Sequence, residues 1–424
     1  MYIRRAEIEN IRSIEQLELT FDNPTGWHVI IGDNGAGKST LIRSLALTLI
    51  GPKEAMGLRQ NWADWLNSKS DHGYIKLHIE ATPADKHVGR RRKLENSWIP
   101  NILDFRKEGN HVSLSAPKKT KPDPEIYNWG HGNGWFSCAF GPYRRFEGGN
   151  QEWSKVFYSQ PKLGAHLSVF GEDVALTESI DWLVKLHHQK LESNGENRVL
   201  EDIKALINSS GFLPHNTTLH KVTSEGVQFK DGNNNTVSVH QLSDGYRSVL
   251  SMTFELIRQL VVKYGPEQVF SNIRNGEFYI DFGGVVLIDE VDTHLHPTWQ
   301  TRIGDWFTRY FPKMQFIVST HSPLICRAST SGTVWQLRNP GSDLPSGQIT
   351  GKDKNRLIMG NILDAYSTNV FGSNVTISKS SSDKLKRLGE LNVKTILGES
   401  IGEKEKSELA QLKEMFPTEP IKHD

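Results

Sequence analysis

The chain has 424 residues, 37% of them apolar, and its 50 lysines and arginines nearly balance 49 acids, leaving a formal charge of +1. That length predicts two to three domains with a sizeable core, and the balance argues against a protein that is basic all over and coats nucleic acid, while permitting a local basic patch. Two cysteines, Cys138 and Cys326, exclude a disulfide framework or a Cys-rich zinc site, and no apolar run approaches the roughly 18 residues of a membrane-spanning helix. The opening MYIRRAEIEN has no apolar signal core, so a soluble cytoplasmic protein is expected.

In chain order, residues 2–8 and 15–21 read as short strands around a turn at 10–13. GWHVIIGDNGAGKSTLIRSLALTLIG then gives an apolar strand, a glycine-rich turn and a helix, with Leu41, Ile42, Leu45 and Leu49 on one face until Gly51. From 72 to 140 the pattern is short β-like runs, YIKLHIEAT and GNHVSLSA among them. Residues 175–212 switch to helical spacing, with Ile180, Leu183, Val184 and Leu191 on one face and Leu200, Ile203 and Ile207 repeating it. VTSEGVQFKDGNNNTVSVHQL predicts a hairpin around DGNNN. A helix over 243–265 and strands at 285–289, 315–320 and 333–337 follow. A helix near 354–366, a linker at 378–383 (SKSSSD) and a charged helical tail at 381–415 end the pattern.

Four motifs carry chemistry. GDNGAGKS, Gly32 to Ser39, fits the phosphate loop G-x-x-x-x-G-K-[ST], with a strand before it and a helix after it. Its glycines let backbone N–H groups wrap a phosphate, Lys38 brings a point charge to it, and Ser39 suits Mg²⁺. VVLIDE, Val285 to Glu290, is a buried-type strand ending in two carboxylates, which is costly without a cation or a reaction to serve. Asp289 suits the metal and Glu290 a general base for the attacking water. QLSDGYRS puts Ser243, Asp244 and Gly245 at a helix start, where Ser243 reads as an N-cap or as a dock for a γ-phosphate. FIVSTHSP ends a strand at His321, whose imidazole suits a terminal phosphate or a structural bond.

That order resembles the ABC ATPases. IENIRSIEQLEL and DEVDTHLHP resemble their RecF and OLD-type branch rather than transporters, firmly over residues 1–50 and 240–330. The resemblance implies an α/β P-loop head with a mixed sheet, ATP and Mg²⁺ as cofactors, and nucleotide held between two heads. Gly32, Asn34, Gly35, Ala36, Gly37, Lys38, Ser39 and Thr40 of one head would face Ser243, Asp244 and Gly245 of the other. Asp244 stands where the LSGGQ signature has its first glycine, and Arg12, in the Asn-Ile-Arg-Ser element, is implied to touch the nucleotide. A homodimer or higher even-numbered oligomer follows.

The segment FGPYRRFEGGN, Phe140 to Asn150, resembles a run in ATPases of Septu-type and retron-associated antiphage systems, which implies a separate HNH nuclease as partner. Arg144 and Arg145 suit bidentate binding of phosphate or carboxylate, or a solvated turn, and Gln151 is a Q-loop candidate. The long stretch between Lys38 and Ser243 lacks long coiled-coil heptads, and no Asp-x-Asp strand end of the kind a Toprim nuclease needs appears after His321, so the chain reads as an ATPase without its own nuclease. Its domains are expected at 1–170 (phosphate loop and β-rich arm), 171–240 (helical insertion and hairpin), 241–340 (signature, Asp-Glu strand and His321) and 341–424 (a helical, partner-binding tail). A RecF-like repair ATPase and a nucleotide-sensing scaffold with little turnover are the rival functions; the scaffold would not need Glu290.

Other features have bland readings. His294 and His296 lack a third ligand of metal-site spacing and fit interface contacts, and His187 and His188 read as solvated or structural. Arg90 to Lys93 suits a DNA backbone or a solvated hairpin tip. The cysteines read as buried, and Trp62, Trp65, Trp135 and Trp153 serve either the core or a partner surface.

Overall fold

A computed structural model describes residues 1–85, 98–130, 135–144, 159–171, 177–192, 198–209, 211–339, 341–342, 345–361, 365–366, 379–397 and 402–416. Strands β1 (Tyr2–Ile11) and β2 (Ile14–Thr20) form a hairpin, and β3 (Gly26–Ile31) runs through the glycine-rich turn into α1 (Lys38–Ile50). β4 (His72–Glu80), β5 (Ile99–Glu108), β6 (His111–Ser115) and β7 (Ser137–Phe140) follow. Helices α2 (Thr177–Glu192) and α3 (Val199–Ser209) precede β8 (Thr218–Thr223), β9 (Gly226–Lys230) and β10 (Thr236–Ser238). Then come α4 (Asp244–Tyr264), β11 (Gly284–Ile288), α5 (Ile303–Tyr310), β12 (Met314–Thr320), β13 (Val334–Gln336), β14 (Gly347–Ile349) and α6 (Gly351–Met359). These belong to a compact unit, Met1–Met359, and a second unit spans Gly360–Asp424.

Among the described residues the first unit holds three sheets, ordered β2-β1-β4-β5-β6, β10-β9-β8 and β14-β13-β3-β12-β11-β7. The third is parallel except at β13–β14. Its central strands β3, β11 and β12 are buried at every position and read as continuous apolar runs, as strands covered on both faces must. On one face α1 lies between this sheet and the antiparallel one, sharing a core with Ile8, Ile75, Leu103, Val285 and Ile317. Only Arg43 and Ser39 of α1 escape burial, which is the composition of a helix enclosed on all sides.

On the other face Trp27 stacks on Phe307 of α5 (centroids 6.2 Å apart) and donates from Nε1 to the Ile325 carbonyl at 3.1 Å. Gly304 opens room for this: a Cβ there would stand 2.4 Å from Ala328 Cβ and 2.9 Å from the Trp27 ring. Gly304→Ala is expected to cost about 1–3 kcal/mol through overpacking, read as a lowered thermal midpoint.

Several expectations change. Leu191 is 63% exposed, and Leu186 completes the buried face of α2 with Ile180 and Leu183. The expected single hairpin is a three-stranded sheet, because Thr223–Gly226 makes a first turn before Asp231–Asn235 makes a second. SKSSSD is no linker from residue 379 onward: Lys379–Asp383 open α7 (Lys379–Ile396), which packs on α8 (Glu403–Met415) through Leu388, Leu391 and Leu412. Apolar spacing further along the helix outweighs the weak propensity of its serines. Trp65 (0% exposed) and Trp135 (5%) belong to the core, Trp65 stacking on Phe105. Both cysteines are buried, and burial pushes the Cys326 thiol up to about 12. Arg90 to Lys93, Arg145, Gln151 and Trp153 lie outside the described residues.

Candidate nucleotide site

Strand register assembles the site. Ile31 pairs with Thr320, Val29 with Val318, and Ile288 with Val318 across β3, β12 and β11. The chain therefore leaves all three strands at one edge of the sheet, delivering Gly32, Asp289 and His321 there. Open parallel sheets bind ligands at the carboxyl ends of their strands.

Gly35 (φ +79°) and Gly37 (φ +95°) take left-handed conformations that a side chain would strain. Gly37 is also crowded: a Cβ would lie 3.1 Å from Ile14 Cγ1 and Ser13 Oγ, at the β1–β2 turn. Asn34 and Gly35 are exposed, Gly32, Ala36, Gly37 and Ser39 half-buried, and Thr40 buried. Lys38 folds back and donates from Nζ to the Gly32 carbonyl (2.8 Å) and the Asp33 carbonyl (3.0 Å). Burial draws its pKa down, while the charges of Glu290, Asp289, Asp292 and Asp33 hold it up.

Asp289 is 1% exposed. Its Oδ1 accepts from Ser319 Oγ at 2.5 Å, its backbone N–H donates to the Phe140 carbonyl at 2.8 Å, and its Oδ2 is buried with no hydrogen-bond partner among the described residues. A buried carboxylate oxygen left bare is costly, and a cation would compensate it. Glu290 is half-buried at φ +47°; its N–H donates to Ser319 Oγ (2.8 Å) and its Oε2 accepts from Thr293 Oγ1 (3.2 Å). Thr320 Oγ1 donates to Asp292 Oδ1 at 2.5 Å, and the next residue, His321, is exposed.

Ser243 has the backbone of an N-cap (φ −62°, ψ 159°) but its hydroxyl makes no cap bond and the residue is exposed, so the capping role expected of it is not taken up. Asp244 pairs with Arg247. Gly245 presses on the loop after β11, where a Cβ would stand 2.8 Å from the His294 carbonyl oxygen. Arg12 (φ +51°) places its guanidinium 4.6 Å from the Trp65 ring centroid and donates from Nε to the Asp64 carbonyl at 3.2 Å. Burial and the neighbouring Arg43 lower its pKa.

Arg144 departs from its expected role. It is 5% exposed, and among the described residues its guanidinium bonds no carboxylate oxygen but three backbone carbonyls and a hydroxyl. Charge suggests an ionic partner; the acceptors here come from residues up to 146 positions away, which no local pattern announces. Among the described residues no cluster of three metal-ligating side chains includes His294 or His296, and His296 instead caps the short helix Pro297–Gln300. His187 and His188 are half-buried and exposed. A cavity of about 640 Å³ lined by Ser13, Ile14, Ala36 and Leu337 adjoins the phosphate loop. A larger one, about 790 Å³, opens at the far end of α1 around Gly51 and Lys162, away from these groups.

Fold and site together define an α/β P-loop ATPase head of the ABC type. Residues 58–327 match the family model "AAA domain, putative AbiEii toxin, Type IV TA system", and residues 1–108 match a model of unknown function. The Retron Ec83 probable ATPase of Escherichia coli is 39% identical over 400 aligned positions, covering 78% of this chain and 70% of that protein. The Septu protein PtuA of Bacillus mycoides is 25% identical over 339 positions, 78% of this chain, and the chain spans only 40% of that protein's length. Among solved structures, the SMC head domain from Thermotoga maritima aligns over 83% of this chain and 100% of that one, at 15% identity and TM-score 0.42. The chain belongs to the AAA-domain family of the model matched over residues 58–327, with the retron probable ATPase as a relative, and the matches fit a RecF- and OLD-like ATPase. Among the described residues no helix is long and apolar enough to cross a membrane.

Proposed function

We propose that this chain binds and hydrolyses ATP with Mg²⁺, and that its heads pair around the nucleotide to control a separate HNH nuclease in antiphage defence. The observation that carries the reading is the convergence of Lys38, Asp289 and Glu290 at one sheet edge, with Asp289 Oδ2 buried and bare. The phosphate loop N–H groups and the start of α1 bind phosphate, and Lys38 exchanges its two carbonyls for phosphate oxygens. Ser39 and Asp289 would hold Mg²⁺, which supplies charge neutralisation on the phosphates. Glu290 takes the proton of the attacking water, and His321 bonds the terminal phosphate. Ser243 and Gly245 of a second head close the site, their helix start pointing at the same phosphate. Arg12 borders the nucleotide beside the Ser13 turn. The tail, 341–424, would receive the partner.

The retron and Septu names of the relatives support the defence reading, and RecF proteins match over a shorter span, about a quarter of the chain for that of Mannheimia succiniciproducens (26%). The purified chain should release phosphate from ATP with Mg²⁺ and stop when EDTA removes it. It should leave DNA intact until an HNH nuclease is added. ATP binding without any turnover would favour the sensing scaffold, and cleavage by this chain alone would remove the partner.

A further inference from the structure

Arg144 is buried just beyond β7. Its Nε donates to Ser248 Oγ (3.0 Å), Nη1 to the carbonyls of Gly141 (2.9 Å) and Asp289 (2.8 Å), and Nη2 to the carbonyl of Glu290 (2.8 Å). Buried guanidinium groups are rare, and three of this one's four hydrogen bonds go to the two segments that carry the candidate chemistry. Burial lowers its pKa to about 10, against the charges of Asp289, Asp292 and Glu290, which raise it.

We infer that Arg144 is a positioning residue for ATP hydrolysis, clamping the backbone that carries Asp289 and Glu290 and tying it through Ser248 to the helix that begins at Ser243. The inference rests on the roles given above to Asp289 and Glu290. Glu290 sits at φ +47°, a conformation glutamate does not choose unaided, so something must hold it. Two consecutive carbonyls fixed by one planar group do so, and only arginine offers donors in that fixed fork. Among the described residues the Glu290 carboxylate has a single weak tether, Thr293 at 3.2 Å, so its aim follows the backbone. Ser248 stands in the second turn of α4, so a movement of Ser243 and Gly245 reaches Asp289 and Glu290 through one side chain.

The test compares Ser248→Ala, Arg144→Lys, the double variant and Glu290→Gln by kcat, KM, Mg²⁺-free ATP affinity, thermal midpoint and deuterium uptake at the amides of residues 289–291. Those amides are all hydrogen-bonded, so loosening registers as faster exchange. Ser248→Ala removes one bond and should fold normally, with unchanged ATP affinity and a severalfold lower kcat. Arg144→Lys should lower kcat by about tenfold or more with KM little changed, and raise uptake at 289–291. The double variant should be no slower than Arg144→Lys, because Ser248 acts through Arg144. Native kcat and native uptake in Arg144→Lys overturn the inference, as does a loss confined to the thermal midpoint. If Arg144→Lys fails to fold, native kcat and uptake in Ser248→Ala overturn it instead. If Glu290→Gln turns over normally, the base is misassigned, and uptake at 289–291 alone then decides the clamp.

Discussion

Glu290→Gln should bind ATP as tightly as the parent chain and hydrolyse it about a hundred- to ten-thousand-fold more slowly, the usual worth of a general base. The substitution keeps size and keeps an oxygen for Thr293 Oγ1, so the loop after β11 has no reason to move. What it loses is the ability to take a proton. Lys38 and the phosphate loop follow a different strand, β3, and are untouched, so the nucleotide should persist, bound and uncleaved. Single-turnover phosphate release and equilibrium binding of labelled ATP separate the two properties. Normal release would pass the base role to another group, and loss of binding would make Glu290 part of the binding surface.

The second large effect is expected if two heads share the site as proposed. Lys38→Ala removes the Nζ that now bonds Gly32 and Asp33, and with it two or more charge-assisted bonds of about 1.5–3 kcal/mol each to phosphate, so affinity should drop at least roughly a hundredfold. Ser243→Arg leaves that loop intact and places a bulky cation at the exposed start of α4, so ATP should bind and turnover should collapse. Mixed in equal amounts, the two inactive variants should recover about a quarter of the native rate if two-fold dimers exchange at random, because half the dimers hold one intact interface. Hydrolysis against mixing ratio reads this directly. A flat, inactive curve despite proven exchange would refute sites shared between heads, and full activity of Ser243→Arg alone would leave Ser243 as the start of a helix and nothing more.

Legibility in the sequence followed the range of the interaction. The phosphate loop is contiguous, and its glycine conformations are local, so Gly35 and Gly37 stand where the spacing predicts. β3, β11 and β12 announce themselves because double-sided burial demands unbroken apolar runs. Within the β-like stretch 72–140, β5 is hard to delimit: its inward row is Ile99, Asn101, Leu103 and Phe105, and the buried Asn101 breaks the apolar alternation. That asparagine donates to the Thr48 carbonyl (3.3 Å), a partner only the folded chain supplies. Arg144 is the extreme case, since its sequence neighbourhood suggests an anion site and its contacts lie on β11 and α4. Leu191 was misassigned for a simpler reason: near the last turn of α2 the core beneath the helix has ended.

The strand order also sets a timetable. β3 carries the phosphate loop near the beginning of the chain, yet its neighbours on both sides, β12 and β13, are made near residues 314–336. Ile3 is likewise fastened to the side chain of Gln315, 312 residues downstream. At roughly 5–20 residues per second a ribosome needs about 15–60 s to cover that interval. Throughout it the nascent loop hangs from a strand with no partner, and the apolar faces of β3 and α1 are shielded only by the antiparallel sheet or by chaperones. The phosphate loop is therefore expected to be seated only once β12 and β13 are made, and a chain broken before β12 is expected to carry the whole loop without the strands that flank β3.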